Sequence, residues 1–235
     1  MSGLITPEMF HALNGDRVVG TIGVIHRGSI TGACTQSLSA LQLPGRVKMA
    51  FVEGTHIAWQ RNQIVREREG DWVLFVDSDQ VFAPDALMRL LAHRQPIVGA
   101  LIAGRHSPFP LACGRQGRPL PYHEAPEAGL LNVEYVGTGF VLIRSHVFHE
   151  LPEPWFAVGQ VHPEKSGEDT YFCHQAREAG IPIAVDCGVR VGHLTSATVW
   201  PKPGSGVAIE LAGVEPCITE IEVIEEELHA CVEGP

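Results

Sequence analysis

The sequence has 235 residues, of which 45% are hydrophobic and 19% charged, and its formal net charge is −10. This size and composition predict one soluble domain around a single core, and the acidic balance disfavours broad electrostatic binding to nucleic acid or to an anionic membrane. No stretch approaches the roughly 20 apolar residues that span a bilayer.

The N-terminus lacks the basic and apolar regions of a secretory signal, and the six cysteines include no CxxC pair. These features favour a cytoplasmic protein with reduced thiols over a disulfide framework or a zinc knuckle.

The first half of the chain alternates predicted strands and helices. Apolar runs predict buried strands at residues 18–25, 46–54, 72–76 and 96–104. Helices are predicted to run towards residue 41, over residues 55–70 with Thr55 as a cap and Gly70 as a stop, and after Pro84 with Leu87, Leu90 and Leu91 facing the core. Continuous apolar strands alternating with helices predict an α/β fold, in which a mostly parallel central sheet carries helices on both faces.

The second half is less regular. Residues 105–130 are rich in Gly, Pro, Arg and His and predict an irregular excursion, which in a compact domain is more often functional than idle. Strands at 131–136 and 139–144 flank a Gly-Thr-Gly bend, a helix runs from about 166 to 180, and two short strands follow within 181–194. We expect a domain over residues 1–200 and an acidic C-terminal extension over 201–235, which packs on the domain or mediates contacts.

Two aspartates directly follow the most apolar predicted strand. Asp77 and Asp79 are separated by the small Ser78, so on an extended segment their carboxylates point the same way and can converge on one cation between them. Oxygen ligands of this kind suit Mg²⁺ or Mn²⁺. The alternative is that both aspartates stabilise the N-terminus of the next helix.

Two further groups are candidates for the same site. Glu168 and Asp169 stand at a predicted helix start, where Asp169 can serve as a general base and both can equally serve as helix-capping groups. His193 ends a short predicted strand and is a candidate third metal ligand, although a surface position is the ordinary interpretation of a histidine.

The order of these motifs resembles a known family. An Arg-Asn pair, "FVDSD", "GTGF", "GEDTYFC" and a later Gly-His occur in sequence within residues 18–195. This order is similar to that of GT-A-fold, family 2-like glycosyltransferases that use nucleotide sugars. The resemblance implies a single Rossmann-like domain, a UDP- or GDP-sugar donor, an acceptor hydroxyl and Mn²⁺ or Mg²⁺.

The resemblance also implies roles for individual residues. Asp169, in the pair with Glu168, would be the catalytic base or an acceptor-binding carboxylate, and Asp79, Asp77 and His193 would hold the metal. The implied nucleotide- and donor-binding residues are His26, Arg27, Glu53, Arg61, Asn62, Asp77, Ser78, Gly137, Thr138 and Gly139. Of these, Arg61 and Asn62 would face the diphosphate or the sugar, and the small residues of the bend would let the backbone approach the sugar.

The sequence departs from the family in two places. "GVIHRGSI" replaces the usual Pro-Thr-x-Asn loop, and the Gln/Arg-x-x-Arg-Trp signature of processive synthases is absent. The replaced loop bears on the nucleotide contacts. The absence of the processive signature and of membrane helices favours a soluble enzyme that adds one sugar, by inversion or by retention. Three alternatives stay open: a nucleotidyltransferase acting on a sugar phosphate, a hydrolase of nucleotide sugars, and a non-catalytic sugar-nucleotide-binding module. The acceptor, including a modified nucleobase, and the oligomeric state stay open as well.

Overall fold

The computed structural model describes residues 17–105, 109–159, 167–202 and 206–211, with the backbone alone for the last two stretches from 197 on. These residues form two compact units. The first comprises 17–104 and 110–194, and the second comprises Arg105, Phe109 and the described residues from 195 on. Within the described part of the chain, no helix combines the length and the apolar character that crossing a membrane requires.

The first unit is built on an eight-stranded sheet. Seven of its strands are β1 (Gly20–His26), β2 (Val47–Glu53), β3 (Trp72–Asp77), β4 (Gln80–Val81), β5 (Ile97–Ile102), β10 (Phe140–Arg144) and β11 (Ile183–His193). They lie in the order β2-β1-β3-β10-β5-β11-β4, and the eighth strand, β8 (Leu130–Val133), pairs with β11. Strands β2, β1, β3, β5 and β11 run the same way, and β10, β4 and β8 run against them. The predicted α/β fold with a mainly parallel sheet is therefore confirmed.

Helices cover both faces of this sheet. They are α1 (Gly32–Ala40), α2 (Ile57–Arg66), α3 (Ala86–Ala92), α4 (Val147–Glu150) and α5 (Glu168–Glu178). One core cluster contains residues of α2, α4 and α5, and the other contains residues of α1 and α3. Strand β3 contributes side chains to both core clusters, because alternate side chains of a strand point to opposite faces. The predicted core positions Leu87, Leu90 and Leu91 are buried.

The predicted strand at 131–136 is two strands in two different sheets. β8 pairs with β11, whereas β9 (Tyr135–Val136) pairs with β6 (Cys113–Arg115), which forms a hairpin with β7 (Arg118–Pro119). Glu134 lies between them and donates its backbone N–H to Gly114 O. The irregular segment 105–130 thus contains the β6–β7 hairpin and a short 3₁₀ helix, Tyr122–Glu124.

The two short strands predicted within 181–194 are one strand. β11 continues through a bulge between Asp186 and Arg190, where its register against β5 shifts. Asp186 Oδ1 accepts hydrogen bonds from the backbone N–H groups of Gly188 (2.8 Å) and Val189 (3.3 Å). The side chain satisfies the backbone that the bulge leaves unpaired, so the strand does not end there.

Helix α2 is shorter than predicted. It begins at Ile57, with His56 rather than Thr55 at the N-cap, and its last residue is Arg66. Beyond it, Glu69 exchanges two hydrogen bonds with the buried hydroxyl of Thr21, one through its N–H (2.8 Å) and one through its C=O (2.9 Å). These bonds hold the chain against strand β1, so the helix ends before Gly70.

In the second unit, β12 (Ala197–Lys202) and β13 (Gly206–Leu211) form an antiparallel hairpin. Residue 200, the predicted domain boundary, lies inside β12. The acidic stretch of the predicted extension, residues 219–227, lies outside the described residues.

Candidate active site

Four of the predicted site residues end strands at the same edge of the central sheet. His26 and Glu53 are register partners at the carboxyl ends of β1 and β2, and Asp77, at the end of β3, is the partner of Ile25. β11 runs parallel to these strands and ends at His193. In open α/β sheets, ligands bind outside the carboxyl ends of the strands.

Strand pairing brings Asp79 next to His193. Gln80 of β4 is the register partner of His193, and Leu194 donates its N–H to Asp79 O at 3.0 Å. As a result, Asp79 Oδ2 lies 3.4 Å from His193 Nε2, and both side chains are largely buried. Gln80 Nε2 donates to the other Asp79 oxygen at 3.4 Å.

The second nitrogen of His193 fixes how the ring is turned. His193 Nδ1 lies 3.1 Å from the backbone oxygen of Ala103. A carbonyl oxygen accepts and does not donate, so Nδ1 carries the proton in this contact and Nε2 is directed at the Asp79 carboxylate. An imidazole held by a backbone carbonyl in this way is typical of metal-binding histidines.

The chemistry of the Asp79–His193 pair fits a divalent cation. A carboxylate oxygen and an imidazole nitrogen that face each other at this distance need a positive charge between them, which a proton or a metal ion provides. Across the described residues, no group of three or more His, Cys, Asp or Glu side chains is arranged to hold a metal. A cation held by this pair alone would have further coordination positions for substrate phosphates, as is usual for Mg²⁺.

Asp77 has a different partner. Its Oδ1 accepts a hydrogen bond of 2.8 Å from Nη2 of Arg61, whose side chain is 1% exposed. Nη1 of the same guanidinium lies 3.1 Å from Glu168 Oε1. The charge of Asp77 is thus balanced by an arginine, whereas the sequence analysis placed a cation between the two aspartates. Arg61, predicted to face the diphosphate or the sugar, is instead buried between two carboxylates.

The carboxyl pair at the start of α5 is perturbed by burial. Burial raises the pKa of Glu168, and Arg61 opposes that rise. Burial also raises the pKa of Asp169, opposed first by the hydrogen bond from the Thr170 N–H to Asp169 Oδ1 (2.7 Å) and then by Arg61. A half-buried carboxyl group whose pKa is raised has the properties of a general base.

The Gly-Thr-Gly bend, between β9 and β10, contacts Asp77 and Glu168. Thr138 Oγ1 donates to Glu168 Oε1 at 3.5 Å, and Gly139 accepts the backbone N–H of Asp77 at 2.9 Å. A Cβ at Gly139 would lie 3.2 Å from both Asp77 Oδ2 and Gln80 Nε2. The small residue at Gly139 therefore makes room for two side chains of this chain, where the sequence analysis expected room for a sugar.

The remaining predicted nucleotide contacts lie at the ends of β1 and β2. His26 is half-buried, and Arg27 and Glu53 are exposed. A Cβ at Gly28 would lie 3.8 Å from Glu53 Oε1, so Glu53 lies beside the loop that follows β1. These three residues therefore lie at or directly after the carboxyl ends of β1 and β2.

Asn62 is buried and does not lie with these residues at the strand ends. It is 6% exposed, its Nδ2 donates to Phe156 O at 2.8 Å, and its Oδ1 accepts from Phe156 N at 3.1 Å. Asn62, predicted to contact the donor, thus anchors the segment that follows α4.

Three residues that the sequence analysis missed support the site. Gln60 Nε2 donates to His26 O (2.9 Å) and to Val52 O (2.7 Å), which joins the ends of β1 and β2. Thr31 donates both its N–H and its hydroxyl to Ser78 O at 3.0 Å, which holds the turn between the aspartates. The buried Gln80 orients Asp79. Of the three, Gln60 had a sequence signal, since it lies three residues after Ile57 and four before Ile64, on the apolar face of α2.

Comparison with known proteins identifies a related domain family. The model of the family described as "Glycosyl transferase family 2" matches residues 21–108, which include β1, β2 and β3 with the Asp77–Asp79 turn. No curated protein matches the chain.

Solved structures also match the chain, and those with a TM-score above 0.5 share its fold. A197 from STIV matches with a TM-score of 0.57 at 14% identity, over 86% of this chain and 97% of that one. GalNAc-T7, solved with UDP, GalNAc and Mn²⁺, matches with a TM-score of 0.56 at 12% identity, over 76% of this chain but only 44% of that one. S. aureus TarS in complex with UDP-GlcNAc matches with a TM-score of 0.47 at 18% identity, over 73% of this chain and 57% of that one.

Proposed function

We propose that the chain transfers a sugar from a nucleotide-diphosphate sugar to an acceptor hydroxyl with the help of a divalent cation. The match of residues 21–108 to the glycosyl transferase family 2 model and the fold shared with GalNAc-T7 support this proposal. The observation that carries this proposal is the meeting of Asp79 and His193 at the carboxyl end of the sheet, with Oδ2 and Nε2 3.4 Å apart.

In this proposal, Asp79 and His193 hold Mn²⁺ or Mg²⁺ from one side. The ion, when bound, neutralises the negative charge that develops on the diphosphate as it leaves. Gln80 keeps the Asp79 carboxylate in place through its amide, and the Ala103 carbonyl keeps the His193 ring in place. The chain's part is to present two fixed ligands and to leave room for the phosphates.

Asp169 is the proposed general base. It accepts the proton of the acceptor hydroxyl as that oxygen bonds to the anomeric carbon and the bond from that carbon to the diphosphate breaks. The pKa of Asp169 is raised by burial, which makes its carboxylate a stronger base than an exposed one. Its Oδ1 is held by the Thr170 N–H at 2.7 Å, which leaves Oδ2 for the acceptor.

The nucleotide is proposed to lie over the ends of β1 and β2, where Glu53 and Arg27 are exposed beside the loop after β1. The donor is proposed to be a UDP- or GDP-sugar. GalNAc-T7, which shares the fold, was solved with UDP and Mn²⁺, so UDP-sugars are the first donors to test.

A thermal-shift screen of nucleotides and nucleotide sugars, with and without Mn²⁺, tests this proposal, because a ligand that binds the native state raises the melting temperature. We expect a shift with at least one nucleoside diphosphate that depends on Mn²⁺, and loss of that shift in Asp79→Ala and His193→Ala. Asp85→Ala and His123→Ala, at exposed positions outside the site, are the matched controls.

The reaction is followed by product analysis of the same donor with and without candidate acceptors. Transfer to an acceptor supports the proposal. If free sugar is released to the same extent with and without every acceptor, the chain is a hydrolase. A protein that binds no nucleotide in the presence of Mn²⁺ would contradict the proposal altogether.

A further inference from the structure

Arg61 is a buried cation between the two halves of the candidate site. It belongs to α2, and its side chain is 1% exposed. Nη2 lies 2.8 Å from Asp77 Oδ1 at the end of β3, and Nη1 lies 3.1 Å from Glu168 Oε1 at the start of α5. One guanidinium thus connects a strand end to a helix start from a distant part of the chain.

This arrangement is not what stability alone favours. Removing a guanidinium and two carboxylates from water carries a large desolvation cost, and apolar side chains of similar volume often stabilise such a position equally well or better. Arg61 Nε and Nη1 are buried, and within the described residues neither makes a hydrogen bond, so Nη1 pairs with Glu168 through charge alone. A buried arginine between two carboxylates of the chain is suited to fixing their relative positions.

The two carboxylates that Arg61 connects lie on different sides of the proposed active site. Asp77 lies two residues before Asp79, on the donor side of the cleft. Glu168 directly precedes the proposed base Asp169, on the acceptor side, and Thr138 also donates to it, at 3.5 Å. Without the guanidinium, Asp77 and Glu168 would be two buried negative charges with no cation between them.

We propose that Arg61 is a positioning residue which, by bridging Asp77 and Glu168, fixes the donor side and the base side of the cleft relative to each other. This inference rests on the proposed function. It differs from a role in which Arg61 contacts the diphosphate, because its two terminal nitrogens lie 2.8 and 3.1 Å from carboxylate oxygens of the chain. The planar fork of an arginine holds two carboxylates at once, whereas the ammonium of a lysine is a single point charge.

Arg61→Lys separates charge from geometry. It keeps the positive charge inside the protein but loses the fork, so one of the two carboxylates loses its fixed orientation. A misplacement of about 1 Å costs up to about 100-fold in rate. We therefore expect kcat to fall by at least about tenfold while the dissociation constant and KM for the donor change by less than about threefold, the pattern of an interaction that acts on the transition state.

Arg66→Lys is the matched control. Arg66 lies on the same helix, is exposed, and pairs with Glu153 at 3.0 Å on the surface. We expect kcat and KM of this variant to equal those of the wild type. If Arg61→Lys weakens donor binding about tenfold and leaves kcat unchanged, Arg61 is a donor contact and the inference is wrong. Wild-type values for both parameters would overturn it as well.

A second measurement does not depend on activity. In nuclear magnetic resonance spectra of protein with nitrogen-labelled arginine and no ligand, a bridged guanidinium gives separate terminal N–H signals that exchange slowly with water. We expect such signals for Arg61 in the wild type, and their averaging in Glu168→Gln, which keeps the shape of the side chain and removes its charge. Averaged Arg61 signals in the wild type would overturn the bridge, whether or not the protein transfers sugar.

The two proposals therefore fail in different ways. A protein with resolved Arg61 signals that binds no nucleotide and transfers no sugar contradicts the proposed function and leaves the bridge standing. A protein that transfers sugar at full rate in the Arg61→Lys form contradicts the positioning role and leaves the proposed function standing.

Discussion

At the residue scale, the position of Asp169 balances stability against reactivity. The Asp169 carboxyl group is half-buried in the first turn of α5, and burial raises its pKa. A carboxyl group with a raised pKa in the folded protein is costlier to ionise there than in the unfolded chain. Its contribution therefore lowers the free energy of unfolding as the pH rises from the unfolded pKa through the folded one.

Asp169→Asn tests both aspects. Asparagine keeps the oxygen that accepts the Thr170 N–H and carries no charge at any pH. We expect donor binding near that of the wild type, transfer reduced at least about 100-fold through loss of the base, and a higher melting temperature than the wild type at pH 7.

The pH dependence of the stability difference between Asp169→Asn and the wild type tests whether ionisation of Asp169 causes it. The stability advantage of Asp169→Asn should shrink as the pH is lowered and vanish below the ordinary aspartate pKa of about 3.9, where the wild-type carboxyl group is also neutral. Wild-type transfer rates in Asp169→Asn would remove it as the base. An advantage that persists at low pH would show that ionisation of Asp169 is not its cause.

The residue scale is also where sequence analysis was weakest. The family resemblance implies that Arg61 faces the diphosphate or the sugar, whereas its two carboxylate partners, Asp77 and Glu168, come from distant parts of the chain. A signal was nonetheless present. Ile57, Ile64 and Val65 define the apolar face of α2, and Arg61, four residues after Ile57 and four before Val65, lies on that face. A charged residue at such a position predicts a buried partner.

At the element scale, α2 anchors a segment that the site depends on only indirectly. Asn62 makes two buried hydrogen bonds to the backbone of Phe156, and Phe156 stacks on Phe172 of α5 with ring centroids 4.9 Å apart. Asn62 thus connects α2 through this segment to the helix that begins with Glu168.

Asn62→Ala should destabilise the protein by about 2–4 kcal/mol, because it leaves a buried N–H and a buried C=O without partners. Denaturation with urea, followed by intrinsic tryptophan fluorescence, to which the buried Trp72 and Trp155 contribute, measures this change. Gln175→Ala is the control, since Gln175 donates a single hydrogen bond, to Pro154 O at 3.0 Å, and that bond is exposed. Loss of this bond should cost less than about 1.5 kcal/mol. Equal effects of the two substitutions would contradict the anchoring role of Asn62.

Elements were predicted well where local pattern decides them. The apolar runs of β1, β3 and β5 are strands, because strands buried on both faces have continuous apolar sequences. The exceptions depend on distant partners. β11 passes through its bulge because Asp186 bonds the bulge backbone, and β8 and β9 separate because their pairing partners lie in different sheets.

At the scale of the whole molecule, topology assembles the site. The five co-directional strands bring His26, Glu53, Asp77 and His193 to one edge of the sheet. The antiparallel pairing of the two-residue β4 with β11 then sets Asp79 beside His193. Sequence order predicted that these groups share a site, but the separate partners of Asp77 and Asp79 follow only from the assembled fold.

The overall charge gives the proposed cation a further role. The chain carries a formal net charge of −10, and a nucleotide-diphosphate sugar is also an anion, so their general electrostatic interaction is repulsive. Binding of such a donor therefore requires local positive charge in the cleft. Arg27 is exposed beside the loop after β1, and Arg61 is already neutralised by Asp77 and Glu168. A metal ion held by Asp79 and His193 is the proposed source of further positive charge.

Pulsed electron paramagnetic resonance of Mn²⁺ bound together with UDP tests this claim most directly, because hyperfine couplings identify the atoms bound to the ion. The account predicts nitrogen coupling from one imidazole and phosphorus coupling from the diphosphate at the same ion. The nitrogen coupling should disappear in His193→Ala and persist in His123→Ala. Phosphorus coupling without nitrogen coupling in the wild-type protein would contradict it.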